Sequence, residues 1–76
     1  MIEIKFNTMT DVYDFVHAAG TFAGDVDVQI GSLMLDGKSI MGVIKGCVST
    51  EPILTRLVTD DKAELSRFEK EMERFS

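Results

Sequence analysis

Gly31-Ser32 is the feature that most restricts how this chain can fold. It separates Val26-Asp27-Val28-Gln29-Ile30 from Leu33-Met34-Leu35 by two residues, the first of them a glycine. A Gly-X link of that length between apolar runs predicts a type II′ hairpin, because glycine supplies the positive φ of its first position. The first run alternates Val26, Val28 and Ile30 with Asp25, Asp27 and Gln29, the period of a half-buried strand. One face is therefore apolar and the other wet. An antiparallel sheet open to solvent on one side follows from that pattern.

The remaining elements fit around this hairpin. Ile2, Ile4 and Phe6 alternate with Glu3 and Lys5, giving another strand. Thr8 and Asp11 form a Thr-x-x-Asp variant of the capping box. Val12, Phe15, Val16 and Ala19 then fall at helical spacing, and Gly20 is placed to close the helix. Phe22 can fold back onto that apolar face. Asp36-Gly37 is a strong turn former, and Ser39 stands where its hydroxyl can cap a short helix over 39–45. Such a helix cannot bury Ile40, Met41 and Ile44 on one face, so some of them are expected outside, as a docking patch. After Pro52 the run Ile53 to Val58 reads as the last strand. Leu65, Phe68, Met72 and Phe75 line a final helix over 60–75. Asp60, Asp61 and Glu64 at its start and Lys70 and Arg74 toward its end suit the helix dipole. The expected architecture is α+β, in the order β-α-β-β-α-β-α. A four-stranded antiparallel sheet carries helices near 9–20, 39–45 and 60–75 on one face, as an open-faced β-sandwich.

Composition narrows the function. The 76 residues are expected to make a single domain, 1–76, and a chain of this size buries only about 60% of its extended surface. Thirteen acids against eight bases give a net charge of −5. Without a cluster of Lys and Arg, nucleic acid is not an expected partner. No run approaches the ~18 apolar residues of a membrane span, and no secretory leader opens the chain, so a cytoplasmic protein is expected. Cys47 is the only cysteine and cannot form an internal disulfide, which suits a reducing compartment. It reads as a small core or loop residue rather than a redox or nucleophilic thiol. No nucleophile–base pair and no ligand cluster is visible, so no catalytic residue, metal or cofactor is expected, and a small βα-sandwich enzyme is disfavoured. Asp25 and Asp27 read as a solvated strand face.

The order of elements, the length and the run Gly37-Lys38-Ser39-Ile40-Met41-Gly42-Val43 together resemble the HPr family, the phosphocarriers of the bacterial sugar phosphotransferase system. The resemblance covers nearly the whole chain, with a residue or two dropped near Pro52, and is strongest to the Gram-positive form. It implies a phosphoryl-accepting histidine just before the first helix, in a Gly-x-His-x-Arg-Pro-Ala context. Here the histidine position reads Thr8, the arginine position Thr10 and the proline position Asp11. Thr8 is thus a degenerate active-centre position. An unactivated hydroxyl is a poor acceptor, and Asp11 puts a negative charge where a phosphate would sit. His17, the only histidine, lies about 13 Å further along the helix at 1.5 Å per residue, pointing toward solvent near Tyr13.

Ser39 falls on the serine that a kinase phosphorylates in Gram-positive relatives, with Ile40, Met41 and Ile44 on the neighbouring partner-binding patch. A chain with that serine and without the histidine is similar to the catabolite-repression homologues of HPr. The resemblance implies a regulatory or interaction protein. Its partners would be an HPr-kinase-type kinase and a transcriptional regulator or phosphotransferase-system protein. The alternative is a phosphocarrier with a non-standard acceptor, against which Thr8 and Thr10 count.

Overall fold

A computed structural model describes residues 1–76. Its elements are β1 (Ile2–Ile4), α1 (Met9–Ala19), β2 (Asp25–Ile30), β3 (Leu33–Asp36), α2 (Ile40–Val43), β4 (Ile53–Val58) and α3 (Lys62–Met72). Single 3₁₀ turns, Ile44–Cys47 and Glu73–Phe75, follow α2 and α3. The four strands form one sheet in the order β1-β4-β2-β3. Every neighbouring pair is antiparallel. The expected α+β architecture, with its helices on one side of the sheet, is the one observed.

The hairpin closes as its sequence predicts. Gly31 has φ +60°, the only positive φ in the chain. A type II′ turn needs it there. Ile30 pairs with Leu33, and Val28 with Leu35. Val26, Val28 and Ile30 are buried, while Asp25 is exposed and Asp27 and Gln29 are half-buried on the outer face. Asp27 is not simply solvated: Arg56 on β4 donates to it at 3.0 Å.

The core lies between the sheet and the helices. Val12, Phe15 and Ala19 of α1 meet Ile4, Val28, Ile53 and Leu57 of the strands and Phe68 and Met72 of α3. Phe6, Phe15 and Phe75 meet edge to face, with ring centroids 5.4–6.2 Å apart. Phe22 packs edge-on against Phe68 at 5.3 Å. Arg67 covers the other side of Phe22, its guanidinium 3.7 Å from the ring centroid, and donates to Thr21 and Glu64. The Glu64 hydrogen bond raises the Arg67 pKa above its ordinary value.

Several expectations change. Gly20 does end α1, but in the right-handed region at φ −64°, because the chain continues in 3₁₀ fashion with Thr21 and Phe22 donating to Ala18 and Ala19. Ala18 joins the buried face of α1, and Val16 is only half-buried. Leu65 lies at the margin of α3 and is 36% exposed. The last helix begins two residues later than expected, at Lys62, with Asp61 as its cap, the carboxylate accepting from Ala63 and Glu64.

Gly24 shows how closely the backbone is fitted. A Cβ there would collide with the Val58 carbonyl of β4. A strand carbonyl cannot rotate aside like a side chain. Gly24→Ala is therefore expected to lower stability by about 2 kcal/mol, within the usual range for overpacking. Chemical denaturation should show a lower midpoint with an unchanged slope.

Candidate functional site

Two neighbouring surfaces carry the residues singled out by sequence: the N-terminus of α1 and the segment from Asp36 to Val48. At the first, Thr8 is the N-cap of α1 and its side chain accepts from Asp11 N–H at 3.3 Å. The Asp11 carboxylate accepts in return from the N–H groups of Asn7 (2.8 Å) and Thr8 (3.2 Å). The reciprocal box is complete. The chain's own carboxylate thus sits at the helix start, holding the Asn7 and Thr8 N–H groups and repelling any second anion there. Thr10 is exposed, and His17 lies two turns along α1 on its solvent side.

The 3₁₀ turn after α2 packs beside this helix start. Cys47 is half-buried, its thiol 3.7 Å from the Thr8 carbonyl and 3.9 Å from the Met9 thioether. A shallow cleft of ≈ 340 Å³ runs alongside, with Asn7, Cys47, Ser49 and Thr50 among its polar lining. It pairs no base with a nucleophile. No group of three His, Cys, Asp or Glu side chains is disposed to hold a metal ion.

In the second surface, Asp36 and Gly37 make a turn fixed to β2. The Asp36 carboxylate accepts from Lys38 N–H at 2.9 Å, and Gly37 N–H donates to the Val26 carbonyl at 2.6 Å. Ser39 occupies the N-cap position of α2, with φ −107° and ψ 113°, yet its side chain makes no capping bond. Its backbone alone participates, donating to Asp36 and accepting from Val43. The expected hydroxyl cap is therefore absent, on a residue that is half-exposed. Lys38 is tied down as well. Its ammonium donates to the Phe22 carbonyl at 2.7 Å, across sixteen residues of sequence.

The expected helix over 39–45 is one α-turn running into the 3₁₀ turn. Val43 is its fully buried anchor, and Ile40 packs half-buried against the core. Met41 is 78% exposed and Ile44 38%. The outward patch thus consists of Met41 and Ile44, with Ile40 beneath them. Sequence reasoning missed Val48, which at 86% is the most exposed large apolar side chain. A helical period carries no information once the chain becomes a 3₁₀ turn, so nothing in the spacing marks Val48 as outward.

The crystal structure of HPr-C-His from Thermoanaerobacter tengcongensis matches with a TM-score of 0.71 and 27% sequence identity, over 95% of this chain and 86% of that one. The chain has the HPr-like fold. No protein-family model and no curated protein sequence matches it. Within the HPr-like frame, the helix preceded by Thr8 is the first of the fold, and Ser39 opens the second. No helix is long and apolar enough to cross a membrane.

Proposed function

We propose that this chain is an HPr-like regulatory or interaction protein related to the sugar phosphotransferase system, acting by binding protein partners and not as an enzyme. The observation that carries the reading is the surface around Ser39. Ser39, half-exposed and with a side chain that makes no capping bond, stands beside Met41 and Ile44, two apolar side chains that the fold leaves outside. The filled capping box at Thr8 supports the same reading, since no phosphoryl-accepting imidazole stands there. An HPr-kinase-type kinase and a transcriptional regulator or phosphotransferase-system protein are the partners of this kind of surface, in the cytoplasm.

The test is phosphorylation by an HPr-kinase-type enzyme with ATP. One phosphate on Ser39, lost in Ser39→Ala and slowed in Met41→Asp, is the expected result. Modification elsewhere, or none, would sink the reading.

The phosphate should perturb the fold little. It brings a charge of roughly −1.5 to −2 to a half-exposed position. With α2 a single turn, its dipole is small, and Lys38 is held by Phe22. The expected change is within about 1 kcal/mol in either direction. Thermal melts of the two forms should therefore agree to within about 8 °C. A larger drop would mean that Ser39 is buried in solution.

A further inference from the structure

We infer that the open edge of β3 is a docking site for an extended peptide segment with basic residues on one face and apolar residues on the other. β3 ends the sheet and has no partner beyond β2. In a two-residue hairpin the closing pair, Ile30 and Leu33, exchanges hydrogen bonds, and the next pair does not. Met34, opposite Gln29, therefore turns its N–H and C=O outward, and Asp36, opposite Asp27, does the same. The Asp36 carbonyl is taken by Ser39 N–H, so the edge offers the Met34 N–H and C=O and the Asp36 N–H. The strand has no proline, lysine or bulge along its edge, and its one charge, Asp36, is the group that can select what pairs there.

Side chains on both faces of this edge specify the occupant. On the outer face one row across the sheet reads Arg56, Asp27, Asp36. Arg56 pairs with Asp27, whereas Asp36 faces a like charge and has no cationic partner. Like charges directly opposite each other are unfavourable. A Lys or Arg on an added strand would stand beside Asp36 as Arg56 stands beside Asp27, continuing the alternation of sign. On the helix side, Leu33 is 50% exposed and, with Ile30 and Val48, gives the apolar part of a hollow of ≈ 550 Å³ at the hairpin turn whose rim also carries Lys45, Ser49 and Glu51. An inward apolar side chain of the added strand would pack against the exposed Leu33 at its margin. Backbone pairing with a pocket for alternate side chains is the physics of β-strand addition.

The probe is a peptide of alternating Lys and Val, compared with its Glu-Val counterpart, on the full chain. The Lys-Val peptide is expected to slow amide exchange at Met34 and Asp36, and the Glu-Val peptide to leave both unchanged. Asp36→Asn keeps an oxygen for the Lys38 N–H while removing the charge. It should weaken binding by up to about fivefold, the worth of one exposed ion pair. Met34→Pro removes the central donor, and its own melting curve reports whether it folds. Equal binding of the two peptides, or protection by neither, would overturn the inference. So would protection that grows with protein concentration alone, since the edge would then be pairing with a second copy of this chain.

Discussion

Phe15→Ala should lower the melting temperature by about 15 °C or more. Phe15 is fully buried and stands at the meeting of three segments. Its ring lies 5.4 Å from Phe6, which follows β1, and 5.6 Å from Phe75 in the C-terminal turn. The Lys5 N–H donates to the Phe75 carbonyl beside them, so backbone and rings hold the two ends of the chain together. Truncating a buried phenylalanine costs about 3–5 kcal/mol, a lost transfer term plus the cavity left behind. A domain of this length has only about 4–11 kcal/mol in total at the usual stability per residue. Each kcal/mol moves the midpoint of so small a domain by about 4–8 °C. Ile44→Ala is the control: a half-exposed side chain outside the core should change stability by no more than about 0.5 kcal/mol. A drop of only a few degrees in Phe15→Ala would mean that the ring is not at the centre of the core.

The contrast between these two substitutions follows the division between what local sequence reveals and what it does not. Val12, Phe15, Phe68 and Met72 were legible because an amphipathic helix repeats its inward positions every three to four residues. The hairpin was legible because Gly31 and the alternation on either side depend only on neighbouring residues. The capping box at Thr8 and Asp11 is equally local. Lys38 shows the opposite. Its charge appears free beside Ser39 in the sequence, but it is held by a carbonyl sixteen positions away, a contact that only the packed fold creates. Ser39 is similar: its residue type favours capping, but one short turn opening into a 3₁₀ turn leaves the side chain without that bond. Ile40 and Met41 are adjacent and both apolar, and only the fold sends one inward and the other out. The strand order, with β4 between β1 and β2, also has no local signature.

Incubation with phosphoenolpyruvate and enzyme I should leave no acid-labile phosphate on this protein, and Thr8→His alone should not restore transfer. A phosphoryl group at the start of α1 would need the helix's free N–H groups and would gain from nearby positive charge. Here the Asp11 carboxylate already takes the N–H groups of Asn7 and Thr8, and the Thr8 side chain takes the N–H of Asp11. An incoming phosphate would meet only the Met9 and Thr10 N–H groups without such a partner, beside a carboxylate that repels it. Thr10 offers no cation in compensation. His17 is not a substitute, since in-line transfer needs reacting atoms in near contact and this imidazole lies two turns along α1. The substitution Thr8→His supplies a nucleophile and leaves the competing carboxylate in place. Thr8→His combined with Thr10→Arg and Asp11→Pro removes the carboxylate and adds a cation, so this triple variant should accept phosphate where the single variant does not. Acid-labile label on the unaltered protein would overturn the assignment of Thr8 as a degenerate position. Transfer to Thr8→His as fast as to the triple variant would show instead that the Asp11 carboxylate does not block the site.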